Sequence, residues 1–475
     1  MRKLLLYFMA IAALIVPASA QWAAATGENP RVFPIGTIVP KVVTLAKPDQ
    51  SYALYLPASY SAKKRFPIIY ALDPGARGSH PVELMKDGAE RYGYIVVGSN
   101  NSRNGSWKIE IDAAQAMLQD TQERFPIDPR RVYFAGFSGG ARVAARLAQL
   151  CKCAAGVILN GAEFQPDAFT LHDAPFAVFA GIGIYDFNYG EIVRMDDDLE
   201  KLGYAHFLRR FDGPHQWAPS DVMAEALAWF RLQAMKSGLE SRDDAWIAAT
   251  SAQFFEPARA LEQSGDLYAA WKEYRQAAET LAGLTDNRAL RAKTEALEKD
   301  KAVREGAKRE KQEFEEQDQL TREISSDLSG LREIQPNRAD VRTGVAQKIV
   351  DLRVGAEREK REEKLRVLKR ALAGVLVQTM EMGLDRLEQK DPARARDYFE
   401  LACDADPDSV WALNNLAVAK ALDGDRKGAL EALRRAKAKT KDLEQFFAWL
   451  NDEPAFAPLR GTPEFKAILE PSAKH

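Results

Sequence analysis

Between residues 40 and 236 short apolar runs alternate with amphipathic helical stretches. Few architectures satisfy that alternation except helices wound over a mostly parallel sheet, because each strand–helix–strand step is a right-handed crossover. The strand runs fall at 52–56, 67–72, 94–98, 131–135, 156–160, 176–180 and 206–211. Runs such as IIYAL and YIVVG are apolar throughout, as strands covered on both faces are. Helical spacing recurs at 113–124, 141–150, 191–202 and 221–233. The start, around 41–57, reads as a hairpin and places antiparallel strands on one edge.

One motif sits at a junction of this pattern. Gly136-Phe137-Ser138-Gly139-Gly140 follows the strand-like RVYFA and precedes the helical ARVAARLAQL. A G-x-S-x-G turn between strand and helix is the setting of a nucleophile elbow. The turn is so tight that side chains two before and two after the serine would clash, so glycine serves there. The serine hydroxyl is pushed out at the carboxyl end of the sheet, and the helix aims its N-terminal dipole at the same place.

Ser138 then needs a base. The chain holds His80, His172, His206, His215 and His475. In the order nucleophile, acid, histidine, only His206 and His215 leave room for an acid within the sheet region. His206 falls inside the last strand run, where a structural role is expected; His215 follows it in DGPHQW and is assigned as the base. The acid should follow the preceding strand, and Asp186 in GIGIYD does so. Asp196, Asp197 and Asp198 lie in a helical run and read as a solvated face, while Asp212 is too close to His215. For the oxyanion hole, which needs two backbone N–H donors, Gly139 and Ala76 are expected, with Gly75 as the alternative to Ala76. The loop SNNSRNGSW at 99–107 follows a strand and is placed to face the pocket. Trp107, Tyr185 and Trp217 are expected either to line that pocket or to cap the core.

With YALYLP, FPIIYALDPGARG, DPRRVYFAGFSGGARVA, GIYD and GPHQW in view, residues 40–236 resemble the α/β-hydrolase superfamily. Within it they are most similar to the secreted carboxylesterase, feruloyl-esterase and polyhydroxybutyrate-depolymerase-like group. The resemblance implies ester hydrolysis through an acyl-serine, without metal or cofactor. Where many hydrolases carry His-Gly after the first buried strand, this chain has Pro74-Gly75.

After Gly238 the strand signals stop and the chain becomes helical and charge-rich. Residues 285–375 read as a charged helical connector interrupted by Pro336; no sustained apolar heptad argues for a long coiled coil. Further on, Gly383, Ala395, Phe399, Ala402 and Pro407 are followed 34 residues later by Ala417, Ala429, Leu433 and Ala436. This spacing of small and large residues resembles tetratricopeptide repeats over 376–443, with a first copy at 251–284 marked by Ala258, Ala270, Tyr274 and Ala277, and a capping segment at 444–475.

The amino end supplies an address. Arg2 and Lys3, the apolar run 4–16, Pro17 and Ala18-Ser19-Ala20 read as a signal peptide over 1–20, which predicts a periplasmic or secreted protein. Export permits disulfides, but Cys151, Cys153 and Cys403 imply no framework, and a bridge across two residues is strained. A net charge of −2 argues against a nucleic-acid partner. No later run is long and apolar enough to span a membrane. The expectation is an exported serine esterase whose repeats bind a protein. The alternatives are a hydrolase-like scaffold acting through its repeats, or a serine peptidase.

Overall fold

The computed structural model describes residues 33–164, 176–331 and 338–470. The signal-like segment, His172, His475 and Pro336 lie outside that range. Two compact units divide the chain between Arg309 and Glu310.

The first unit is built on one eight-stranded sheet: β1 (Ile38–Val43), β2 (Ser51–Tyr55), β3 (Phe66–Leu72), β4 (Ile95–Ser99), β5 (Ile127–Phe137), β6 (Ala154–Asn160), β7 (Ala177–Gly183) and β8 (His206–Phe211). Their order across the sheet is β1-β2-β4-β3-β5-β6-β7-β8. β2 is antiparallel to both β1 and β4, and every other pairing is parallel. This is the α/β-hydrolase architecture, with the antiparallel strands at one edge. The apolar runs become the central strands because both faces are covered: all seven residues of β3 and all seven of β7 are buried.

Among the described residues, five helices connect or follow the strands: α1 (Ser79–Tyr92), α2 (Trp107–Arg124), α3 (Gly139–Cys151), α4 (Tyr189–Leu202) and α5 (Ser220–Lys236). The first was not expected from the sequence. Its apolar positions are few, and it is held by one buried stripe, Val82, Met85 and Ala89. Gly88 lets it close on α5: a side chain there would lie 2.9 Å from the Ala224 Cα.

The sheet unit does not end near residue 238, and this corrects the expected boundary. α6 (Asp244–Ser264) and α7 (Leu267–Leu281) form a hairpin whose Ile247, Phe254 and Ala277 join the same core as Phe207, Trp229 and Phe230. β8 is an edge strand, and α7 covers it. Gln276 Oε1 accepts the Leu208 backbone N–H at 2.6 Å, Glu273 pairs with Arg209 at 2.6 Å, and Thr280 accepts from Trp229 Nε1 at 3.2 Å. An uncovered edge would leave unpaired backbone groups and an apolar face in water. The segment read as a first repeat is therefore part of the sheet unit. Its Ala258, Ala270 and Tyr274 pack with Leu297 and Val303 of the next two helices, α8 (Arg288–Glu298) and α9 (Lys301–Gly330).

The second unit is all helical. The segment expected to be a solvated connector has packed sides there: Ile324 and Leu328 of α9, Val345 and Ile349 of α10 (Arg338–Arg358), and Val375 of α11 (Glu362–Glu388) share one core. Its charges reach inward too, with Arg370 1% exposed beside Glu313, which also binds Arg366. Then come α12 (Pro392–Ala405), α13 (Val410–Leu422), α14 (Arg426–Lys439), α15 (Leu443–Asp452) and α16 (Pro463–Leu469). Asp391, Ser409, Asp425 and Asp442 each accept a backbone N–H three residues on, which fixes where four of these helices start. The small positions of the 34-residue pattern are contact points: Ala395, Ala402, Ala417, Ala429 and Ala436 are fully buried. A side chain at Gly383 would run into the Phe399 ring.

Cys151 and Cys153, which the sequence left open between thiols and a bridge, are bridged, their Cα atoms 5.1 Å apart. Lys152 between them takes a left-handed backbone, φ 49°, which is what lets so short a loop close. Cys403 is buried in the helical core, and burial pushes its thiol up to about 12.

Candidate active site

The elbow forms where β5 runs into α3. Ser138 stands between them at φ 53° and ψ −122°, a backbone that an L-residue adopts only when its surroundings hold it there. The two flanking glycines make the turn feasible. A side chain at Gly136 would lie 2.1 Å from the Gly140 carbonyl oxygen, and one at Gly140 would lie 2.1 Å from that of Leu72. The Ser138 N–H donates to the Asn160 carbonyl at 2.8 Å, tying the elbow to the end of β6. Gly139 is the first helical residue, so its N–H has no acceptor within the helix and forms part of the positive end of the helix dipole.

Three side chains from three strand ends meet. Ser138 Oγ is 2.9 Å from His215 Nε2. His215 Nδ1 is 2.8 Å from Asp186 Oδ2 and 2.9 Å from Oδ1. Asp186 is fully buried, and its Oδ1 also accepts the Asn188 backbone N–H at 2.8 Å. With the carboxylate on Nδ1, that nitrogen carries the proton and Nε2 is left to accept one from the serine. Two rings flank the imidazole, Phe137 at 4.6 Å and Phe187 at 4.4 Å between centroids. Neither was singled out in the sequence, although each adjoins a residue that was.

The other histidines and acids are placed elsewhere. His206 Nδ1 is 2.8 Å from the Tyr204 carbonyl, and its Nε2 faces Asp196 and Glu200 at 3.5 and 3.4 Å. Asp196 is buried there rather than solvated, which corrects its reading; Asp197, Asp198 and Asp212 are exposed.

The oxyanion side departs from expectation. Ala76 does sit in the loop after β3, at φ 58°, but its N–H donates to the Asp73 carbonyl at 3.1 Å. Gly75, the alternative, gives its N–H to Asp73 Oδ1 at 2.8 Å. Both amides are spent inside their own turn, Gly75 on the buried Asp73 carboxylate and Ala76 on the Asp73 main-chain carbonyl. What lies over Gly139 is Asn104: a side chain on Gly139 would come within 2.0 Å of its Oδ1. Asn104 belongs to the 99–107 loop expected to face the pocket. That loop is held against the one after β3 by a Gly75–Arg103 bridge and by the Asn104 N–H to the Pro74 carbonyl at 2.9 Å.

Among the three expected pocket aromatics, Trp107, which ends the 99–107 loop, and Tyr185, whose N–H donates to the Gly213 carbonyl at 3.1 Å, are half-buried. Trp217 is only 4% exposed, and its indole N–H donates to Asp73 Oδ2 at 2.8 Å. It braces the loops instead of offering a face to substrate.

No protein-family model matches the chain, and no curated protein matches it in sequence. Solved structures similar to the sheet region include S-formylglutathione hydrolase from Staphylococcus aureus, 14% identical, covering 42% of this chain and 98% of that chain with a TM-score of 0.35. A ferulic acid esterase is 16% identical, covering 41% and 97% with a TM-score of 0.34. An esterase from Pyrobaculum calidifontis is 13% identical, covering 42% and 87% with a TM-score of 0.34. These neighbours are esterases and serine hydrolases.

Proposed function

We propose that this chain is an exported serine hydrolase that cleaves carboxylic esters through an acyl-serine. The observation that carries the reading is the unbroken relay from Asp186 through His215 to Ser138, with both links at 2.8–2.9 Å and the serine on a strained elbow. In the first step Ser138 Oγ attacks the ester carbonyl carbon while its proton passes to His215 Nε2. The imidazolium so formed is stabilised by Asp186. The tetrahedral oxygen is met by the Gly139 N–H and the dipole of α3. Collapse expels the alcohol, which takes the proton from His215. Water then repeats the sequence on the acyl-serine, releasing the acid and restoring the serine.

The tetratricopeptide-like reading of residues 376–443 is part of the proposal, with a protein as the partner. It is supported by the buried small residues recurring at 34-residue spacing and by Trp411 and Leu422, which are 44% and 54% exposed.

The purified chain should take a fluorophosphonate probe and hydrolyse p-nitrophenyl esters, with a graded series fixing the acyl length. Ser138→Ala should lose both activities and keep the wild-type melting temperature. Labelling that persists in Ser138→Ala would place the nucleophile elsewhere.

A further inference from the structure

Asp73 stands directly after β3 and is completely buried. A buried carboxylate is costly unless its lone pairs are taken. Its four acceptor positions are filled. Oδ1 accepts the Gly75 N–H at 2.8 Å and Arg77 Nε at 2.9 Å; Oδ2 accepts Arg77 Nη2 at 2.9 Å and Trp217 Nε1 at 2.8 Å. Burial alone would raise its pKa, but these donors and the Arg77 charge outweigh burial and hold it below the usual carboxylate value.

The partners lie on separate parts of the site. Gly75 and Arg77 are in the loop after β3, which borders Asn104. Trp217 is 144 residues away, two past His215. Its ring lies 6.0 Å from Phe137, which in turn faces the His215 ring. Leu72, the residue before Asp73, is where the elbow's Gly140 makes its close approach. One carboxylate thus joins the loop over the elbow to the loop that carries the histidine. The same loop is also held by the Tyr185 N–H to the Gly213 carbonyl at 3.1 Å and by the Ala218 N–H to Asn160 Oδ1 at 3.3 Å, so the Asp73–Trp217 bond is its tie to the β3 side of the site.

We propose that Asp73 is a positioning residue for this hydrolysis, setting the reach of His215 toward Ser138 through its hydrogen bond to Trp217. The inference rests on the triad reading above. It also accounts for a tryptophan that shows substrate almost no surface.

The test uses the full chain. Trp217→Phe keeps an aromatic ring and deletes the N–H; Asp73→Asn keeps the size and loses the charge. With p-nitrophenyl acetate, Trp217→Phe should lower kcat about 10–100-fold with KM little changed, as expected of a displaced base. Fluorophosphonate labelling should slow by a similar factor, and the acid limb of the pH–rate profile, which reports the histidine, should move. Asp73→Asn should act in the same direction, and Trp217→Phe added to it should cost little more, because both break one link. Should Asp73→Asn not fold, Trp217→Phe decides alone. Wild-type labelling rate and an unmoved pH limb in Trp217→Phe would overturn the proposal while leaving the triad standing. Absence of labelling in the wild type would remove the triad reading and this inference with it.

Discussion

Ser138, His215 and Asp186 come from the ends of β5, β8 and β7, and no two are closer than 29 residues in sequence. Their roles separate in a mutant series. His215→Ala should be as damaging to kcat/KM for a p-nitrophenyl ester as Ser138→Ala, since the two act as one unit. Asp186→Asn should cost about 10³–10⁴-fold through loss of tautomer control. His206→Ala should leave turnover near wild type and lower the melting temperature, because that ring faces Asp196 and Glu200 and not the serine. A His206→Ala loss equal to that of His215→Ala would reverse the assignment of the base. The histidine was legible in the sequence because its neighbours put it just past the last strand. The Ala76 N–H is taken by the Asp73 main-chain carbonyl in a tight turn, and the sequence does not reveal where a turn closes on its own backbone.

Elements were legible where their pattern was pure. The apolar runs gave strands because burial on both faces removes any polar alternation. α1 was missed because only five of its 14 residues are buried, two of them Pro81 and Gly88, which do not read as helix formers. α2 holds a second surprise. Glu110 stands in its first turn, where a carboxylate usually favours the helix, yet it is buried, and burial pushes its pKa up to about 7. The sign follows from proton counting. The unfolded chain releases this proton at its ordinary, lower pKa, so it binds fewer protons than the native state across the interval. Stability therefore falls as pH rises from about 4.5 to about 7. Glu110→Gln mimics the protonated form. Its melting temperature should exceed the wild type's by a few degrees at pH 8 and match it at pH 5; calorimetry at the two pH values checks this.

On the scale of the whole molecule, the chain's charge-rich half misled the reading of its boundaries. A fragment ending at residue 238 would uncover Phe207 and Trp229, strip the β8 edge of Gln276 and leave Arg209 without Glu273. It should aggregate or bind a hydrophobic dye. A fragment ending at residue 309, the limit of the compact unit, should unfold cooperatively and hydrolyse a small ester at close to the full-length rate. Cooperative unfolding of the shorter fragment at the full-length melting temperature would show that α6 and α7 are dispensable.

What the sequence determined by itself was local and periodic: the strand–helix alternation, the elbow with its two required glycines, the order of serine, acid and histidine, and the 34-residue spacing of small residues. These are readable because a tight turn, a buried strand and a close helix contact each restrict the residue types at fixed offsets. What only the tertiary structure decided was which surfaces are shared. It joined α6 and α7 to the sheet, because β8 would otherwise be a bare edge. It decided between the two places open to Trp217, packing it as a brace rather than a pocket wall, because its indole N–H is held by the buried Asp73. Burial and edge exposure arise from contacts between residues far apart in the chain, and no window of sequence contains them.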